Sequence, residues 1–160
     1  TARKILQEAT ALGVADFQFA LTARSEPSYA DSSLWSSGEW GRHLREGAAQ
    51  AFCTRIPRLS HGSTLAACVE QLAPGGSRIA LDNYESAVDL AGALAGRIGA
   101  VGVATPVILA VGSERGWADE ERLLLKQHGF VLAHLGARVL RTETAVVAAL
   151  AIVNSTLHWP

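Results

Sequence analysis

FVLAHLGARVLRTETAVVAALAIVNS, residues 130–155, is the stretch whose reading decides the fold. It opens as a short apolar strand, FVLAHLG, and closes with ETAVVAALAIVNS, apolar on nearly every side, which predicts a helix buried in the core or against another subunit. Between them LGARVLRTETA, residues 135–145, spends two arginines, two threonines and a carboxylate on a connection that is otherwise apolar. Thr142 as N-cap and Glu143 in the first helical turn account for part of that polarity. Arg138 and Arg141, three apart and flanked by Val139 and Leu140, need an anionic partner if they are even half-buried.

Working back toward the amino terminus, the same alternation repeats. ADEERLLLKQHG reads as a helix with acids in its first turn and Lys126, His128 and Gly129 at its end, the order the helix dipole favours. VILAV, residues 107–111, is an uninterrupted apolar run of the kind a strand buried on both faces shows. Residues 87–98 form a small Ala-rich helix, and RIALDN a strand after the turn PGG. Leu65, Cys68, Val69 and Leu72 make one helical stripe, and Trp40 through Ala51 another that exits at Pro57, with IPRL a short strand. FQFALT at 17–22 reads as a strand, ARSEPSYADSSLWSSGEW as a long surface loop, and residues 3–12 as a helix closed by Gly13. The expectation is a single α/β domain over residues 1–160, a mainly parallel sheet with helices on both faces.

Composition narrows the function. With 49% hydrophobic and 18% charged residues the chain can build a sizeable core. A formal net charge of -1, from 14 basic and 15 acidic residues, provides no global field for nucleic acid or an anionic membrane, so RNA binding requires a local patch or another domain. No stretch is long and apolar enough to span a membrane, and the expectation is a cytoplasmic chain that starts in mid-pattern, without an initiator Met. Cys53 and Cys68 read as two reduced core thiols. The five histidines are scattered, which argues against a metal site, and no nucleophile elbow is present.

In open parallel sheets ligands sit outside the carboxyl ends of the strands, which singles out LDNYES after residue 81, VGSERGW after 111 and LGARVLRT after 135. Gly112 and Gly116 bracket Ser113, Glu114 and Arg115 and allow close backbone approach to a ligand. The loop lacks the Lys-Ser/Thr pair of a phosphate loop and the third glycine of a dinucleotide fingerprint, so an ordinary tight turn is the alternative.

Taken together, AVGSERGWADEE and GFVLAHLGARVLRTETAVVAAL resemble the closing motifs of the RsmE family, the 16S rRNA uridine-N3 methyltransferases of the SPOUT superfamily, which run roughly I-G-P-E-G-G-F-S-x-x-E and L-G-x-R-I-L-R-x-E-T-A. Fainter similarity reaches back through EGAAQAFCTRIP to LTARS and ILQEATALGV, so it covers nearly the whole chain apart from the family's N-terminal PUA-like RNA-binding domain. Here Glu8, Ala11, Ala49, Ala51 and Cys53 replace usual Lys, Glu, Glu, Ser and Arg. Ser113 and Arg115 stand for Pro and Gly, and Ala118 for a capping Ser whose role Asp119 can take. The resemblance implies a deep C-terminal trefoil knot, S-adenosylmethionine held among three loops, and a homodimer with the last helix as interface. Carried over by position, the cofactor residues are Leu81, Asp82, Asn83, Gly112, Ser113, Glu114, Gly116, Leu135, Gly136, Arg138, Leu140 and Thr144. Arg138, Arg141 and Glu143 form the catalytic set, the arginines facing substrate phosphate, cofactor carboxylate or Glu143. The implied activity is N3 methylation of a uridine in small-subunit rRNA; a non-catalytic module that dimerises or binds cofactor is the alternative.

Overall fold

A computed structural model describes residues 1–95 and 106–157. Along the chain run α1 (Ala2–Ala11), β1 (Asp16–Leu21), a 3-10 turn (Pro27–Tyr29), α2 (Ser33–Ser36), α3 (Trp40–Gln50), β2 (Arg58–Thr64) and α4 (Leu65–Glu70). There follow β3 (Ser77–Leu81), β4 (Val88–Asp89), α5 (Leu90–Ala95), β5 (Val107–Val111), α6 (Asp119–Gln127), β6 (Val131–His134) and α7 (Thr142–Thr156). Residues 96–98 of the expected Ala-rich helix and His158 lie outside the described residues. No helix among the described residues is long and apolar enough to cross a membrane.

Every strand pairing is parallel, as the alternation predicts, but the strands form two ladders: β1 with β2, and a sheet in the order β4-β6-β3-β5. The two-residue period of a strand splits the second sheet's side chains between two cores. Ile79 and Ala133, with Leu81, Leu109 and Val131, pack under Leu90 and Leu94 of α5 and Ala149 and Val153 of α7. Ala80 and Leu132, with Ile108 and Ala110, face the other way, against Leu65 and Val69 of α4 and Leu125 of α6. Helices therefore cover both faces. A third core joins α1, α2, α3 and β1 through Leu6, Leu34, Leu44 and Phe17, with Val146 and Leu150 of α7 packed against it.

β6 sits between β3 and β4, two strands adjacent in sequence. Ala133 has Leu81 on one side and Val88 on the other, so residues 82–87 must cross the line of β6 to join its neighbours.

Several expectations are corrected. IPRL joins the strand only in its second half: Pro57 has no N–H for a ladder, and pairing starts at Arg58, whose amide donates to Ala15 O at 3.1 Å, and runs on to Thr64. The long loop after β1 is partly ordered, because Ser32 caps α2 by accepting from the Leu34 amide, and Leu34 is buried in the third core. Cys68 is buried but Cys53 is exposed, since α3 stops at Gln50 and Phe52 turns left-handed (φ 52°), carrying the chain out of the helical stripe. β5 is half-buried throughout, being the last strand in its sheet's order among the described residues. The N-cap of α7 is Arg141, without a side-chain cap bond, and Thr142 is already helical because Arg141 O accepts from the Ala145 amide at 2.9 Å. Asp119 begins α6; the cap bond comes from Glu121, whose Oε2 accepts from the Ala118 amide at 2.9 Å.

Candidate functional site

The loops after β3, β5 and β6 leave the carboxyl ends of three adjacent parallel strands and enclose one cleft. Of the residues singled out in the sequence, Leu81, Asp82, Asn83, Gly112, Ser113, Glu114, Gly116, Leu135, Arg138 and Leu140 line it. Gly136, Arg141, Glu143 and Thr144 are not among the lining residues, whereas Thr142 and Ala145 are. Helical geometry explains the substitution: residues 142 and 145 share a face of α7, while Thr144 lies about 100° round the helix from Ala145 and is exposed. Glu143 turns toward α1. Its carboxyl is held below the usual value, chiefly by its own backbone amide, with burial opposing and Thr1 and Lys4 adding to the lowering. Arg138 and Arg141 are exposed and form no ion pair among the described residues, so neither needs the buried partner considered from the sequence.

The loop after β3 is pinned by Asp82, which is 5% exposed. Its Oδ1 accepts from the amides of Tyr84 (2.8 Å) and Glu85 (2.6 Å), and its Oδ2 from Arg122 Nε at 2.8 Å. Burial alone would raise the Asp82 pKa; the Glu85 amide, Arg122 and the Tyr84 amide outweigh it and hold the carboxyl below its ordinary value. Both carboxylate oxygens are engaged within the protein, so Asp82 serves to shape the cleft wall. Arg122, also 5% exposed, binds Asp119 Oδ1 at 2.8 Å and lies 5.4 Å beneath the Tyr84 ring.

The loop after β5 is a tight turn closed by the Gly116 amide donating to Ser113 O at 2.9 Å. Gly116 has φ 70°, and a Cβ on Gly112 would sit 3.3 Å from Gly116 and from Trp117, so both glycines serve the turn itself. Trp117 is buried and donates from Nε1 to Leu81 O at 2.9 Å, tying this loop to the end of β3. Gly136 in the third loop has φ 111°, with its amide donating to His134 Nδ1 at 3.1 Å.

A fourth segment, not singled out for the site from the sequence, joins these three. Residues 22–26, leaving β1, dock on the β5 loop: Arg24 Nη1 donates to Arg115 O at 3.2 Å, and Arg115 pairs with Glu26 at 2.5 Å. The Ala23 amide donates to Glu121 Oε1 at 2.8 Å, so one glutamate both caps α6 and fastens the β1 exit. The signal available was the length of that loop. Tyr84 lay inside the quoted LDNYES, but nothing in the spacing marked it.

The chain matches the family model described as an RNA methyltransferase domain over residues 1–154. It is 33% identical to the ribosomal RNA small subunit methyltransferase E of Treponema pallidum, over 98% of this chain and 58% of that protein. A putative methyltransferase of Legionella pneumophila, solved in complex with bound S-adenosylmethionine, superposes with a TM-score of 0.75 at 26% identity, covering 96% of this chain and 60% of that one. A ribosomal RNA small subunit methyltransferase E from Neisseria gonorrhoeae, solved bound to the same cofactor, has the same fold, with a TM-score of 0.73 at 20% identity over 96% of this chain and 60% of that one. The chain therefore spans rather more than half the length of these relatives.

Proposed function

Because the chain belongs to the RNA methyltransferase domain family, matched over residues 1–154, we propose that it transfers a methyl group from S-adenosylmethionine to RNA, with N3 of a uridine in small-subunit rRNA as the acceptor. The observation that carries this reading is the single cleft formed where the loops after β3, β5 and β6 meet. Its walls suit the cofactor: Leu81, Val111, Leu135, Leu140 and Ala145 offer apolar surface for an adenosyl group, and Asn83, Gly112, Ser113 and Glu114 add polar groups to the lining. Arg138 brings a cation to the same cleft, fitted to a carboxylate or a phosphate.

The cofactor, when bound, supplies a methyl group on a sulfonium, which needs no further activation. The protein's part is to position the acceptor in line and to stabilise the negative charge that grows on uracil as its N3 proton leaves. Arg138 and Arg141, exposed at one loop and free of ion pairs among the described residues, are the groups proposed for substrate phosphate and developing charge. Glu143, facing Lys4, takes a supporting role at the start of α7. The placement of β6 between β3 and β4, with residues 82–87 bridging across it, supports the threaded, knotted path expected from the RsmE resemblance. The proposal also includes a homodimer, action in the cytoplasm where rRNA is available, and an RNA-binding domain elsewhere in the full protein.

Calorimetric titration of the chain with S-adenosylmethionine tests the cofactor site. Saturable binding near one per protomer is expected, followed by transfer of labelled methyl to small-subunit rRNA when the full protein is assayed. A folded chain that takes up no cofactor would overturn the reading in favour of a non-catalytic module.

A further inference from the structure

Beside the cofactor cleft lies a second one, lined by Arg24, Tyr84, Glu85, Asp119 and Arg122, and Tyr84 belongs to the lining of both. We infer that this second cleft holds the target nucleotide of single-stranded RNA, with Tyr84 as the stacking platform for its base and Arg24 as the ligand of its phosphate. The inference rests on the RNA methyl-transfer reading and extends it to Tyr84 and to Arg24, the arginine of LTARS, neither of which was placed in the site from the sequence.

Tyr84 is 74% exposed, although its backbone and that of Glu85 are tied to the buried Asp82 carboxylate. Its amide donates to the buried Asp82 carboxylate, and the Arg122 guanidinium under its ring is itself fixed by Asp82 and Asp119. A cation against one face of an aromatic ring holds it in place and leaves the opposite face for a ligand. Leaving a large aromatic surface in water while spending a buried ion pair on its position is unfavourable for folding alone. It is the arrangement expected of a platform whose second face is covered by a base.

Each acid at the cleft has a cationic partner: Asp82 and Asp119 share Arg122, and Glu85 pairs with Lys126 Nζ at 2.6 Å. Arg24 spends one N–H on a carbonyl, Arg115 O, and has no carboxylate partner among the described residues. Its charge is thus available to a phosphate at the rim. A base stacked on Tyr84 lies against the wall shared with the cofactor cleft, where an acceptor for the methyl group has to be.

The test is binding of a fluorescently labelled uridine hexanucleotide to the chain, followed by anisotropy across a salt series, for wild type, Tyr84→Ala, Tyr84→Phe and Arg24→Ala. Tyr84→Ala is expected to weaken binding about tenfold or more, the scale of one lost base–aromatic stack, with Tyr84→Phe close to wild type. Arg24→Ala is expected to flatten the logarithmic salt dependence by about 0.7, one phosphate contact on a single strand. Equal affinity of Tyr84→Ala and wild type overturns the inference, and so does a wild-type chain that binds no hexanucleotide. Either result alongside normal S-adenosylmethionine binding leaves the methyl-transfer reading standing. Tyr84-dependent RNA binding by a chain that takes no cofactor does the reverse.

Discussion

Asp82 and Gly136 sit in two of the three cleft loops and serve them by different means. Asp82 is a buried charge held by three hydrogen bonds inside the protein, so Asp82→Asn removes the buried one of Arg122's two carboxylate partners without freeing space. Breaking such a pair from one side costs about 3–5 kcal/mol, because the remaining charge stays desolvated. Urea denaturation at neutral pH is expected to register a loss of that order; an unchanged midpoint would mean that Arg122 finds another partner. The sign on the acid side follows from the direction of the shift. A carboxyl whose folded pKa is depressed contributes stability that is fully present above its unfolded value and is lost as pH falls through the folded one. The difference between wild type and Asp82→Asn should therefore shrink only at strongly acid pH. Gly136 has open space around the position of a Cβ, so the obstacle to a side chain there is its φ of 111° and not a clash. Gly136→Leu is expected to leave the fold intact and to abolish cofactor binding by re-routing the loop, by about 1–2 kcal/mol of backbone strain at least. Circular dichroism and calorimetry separate the two effects. Normal cofactor affinity in a folded variant would remove Gly136 from the site.

The last helix is the element whose sequence invites the strongest expectation and receives the most specific answer. Its uniform apolarity leaves no period from which to choose a buried face. In the fold Ala149 and Val153 pack with α5 and the sheet, while Val146 and Leu150 turn to the core of α1, α2 and α3. What is left is an exposed strip through Thr144, Val147, Ala151 and Ser155, spaced at one helical turn. That strip is narrow but continuous, and it is the face of α7 available to the proposed second subunit. Val147→Asp is expected to shift a dimer to monomer in sedimentation velocity, with stability little changed because Val147 is 37% exposed within one chain. A variant that sediments as wild type would locate the dimer contact elsewhere. Helix ends followed local chemistry less closely. Thr142 has the side chain of an N-cap, yet α7 starts one residue earlier than that role allows, since the hydrogen bond from Ala145 to Arg141 O closes the first turn.

Across the whole molecule, periodicity made most of the helices and strands legible, and the apolar run at 107–111 and the glycines after β5 and β6 pointed to the end of the sheet where the cleft lies. Local signals suffice there because a strand's apolar pattern and a turn's glycines report interactions within a few residues. They also sufficed for the family, since LGARVLRTETA is a contiguous motif. The strand order, the separate β1-β2 ladder and the crossing of residues 82–87 over β6 were fixed only by long-range pairing, to which no local period is sensitive. The same holds for the site's chemistry. Arg24 and Arg115 are 91 residues apart, and Asp82 and Arg122 are 40 apart, so their contacts exist only once the sheet has brought four loop segments together. The sequence by itself determined where most of the longer helices and strands lie and which loops carry the motif. The tertiary structure alone decided which charges are consumed internally and which face the clefts, because burial and partner distance are properties of the packed chain.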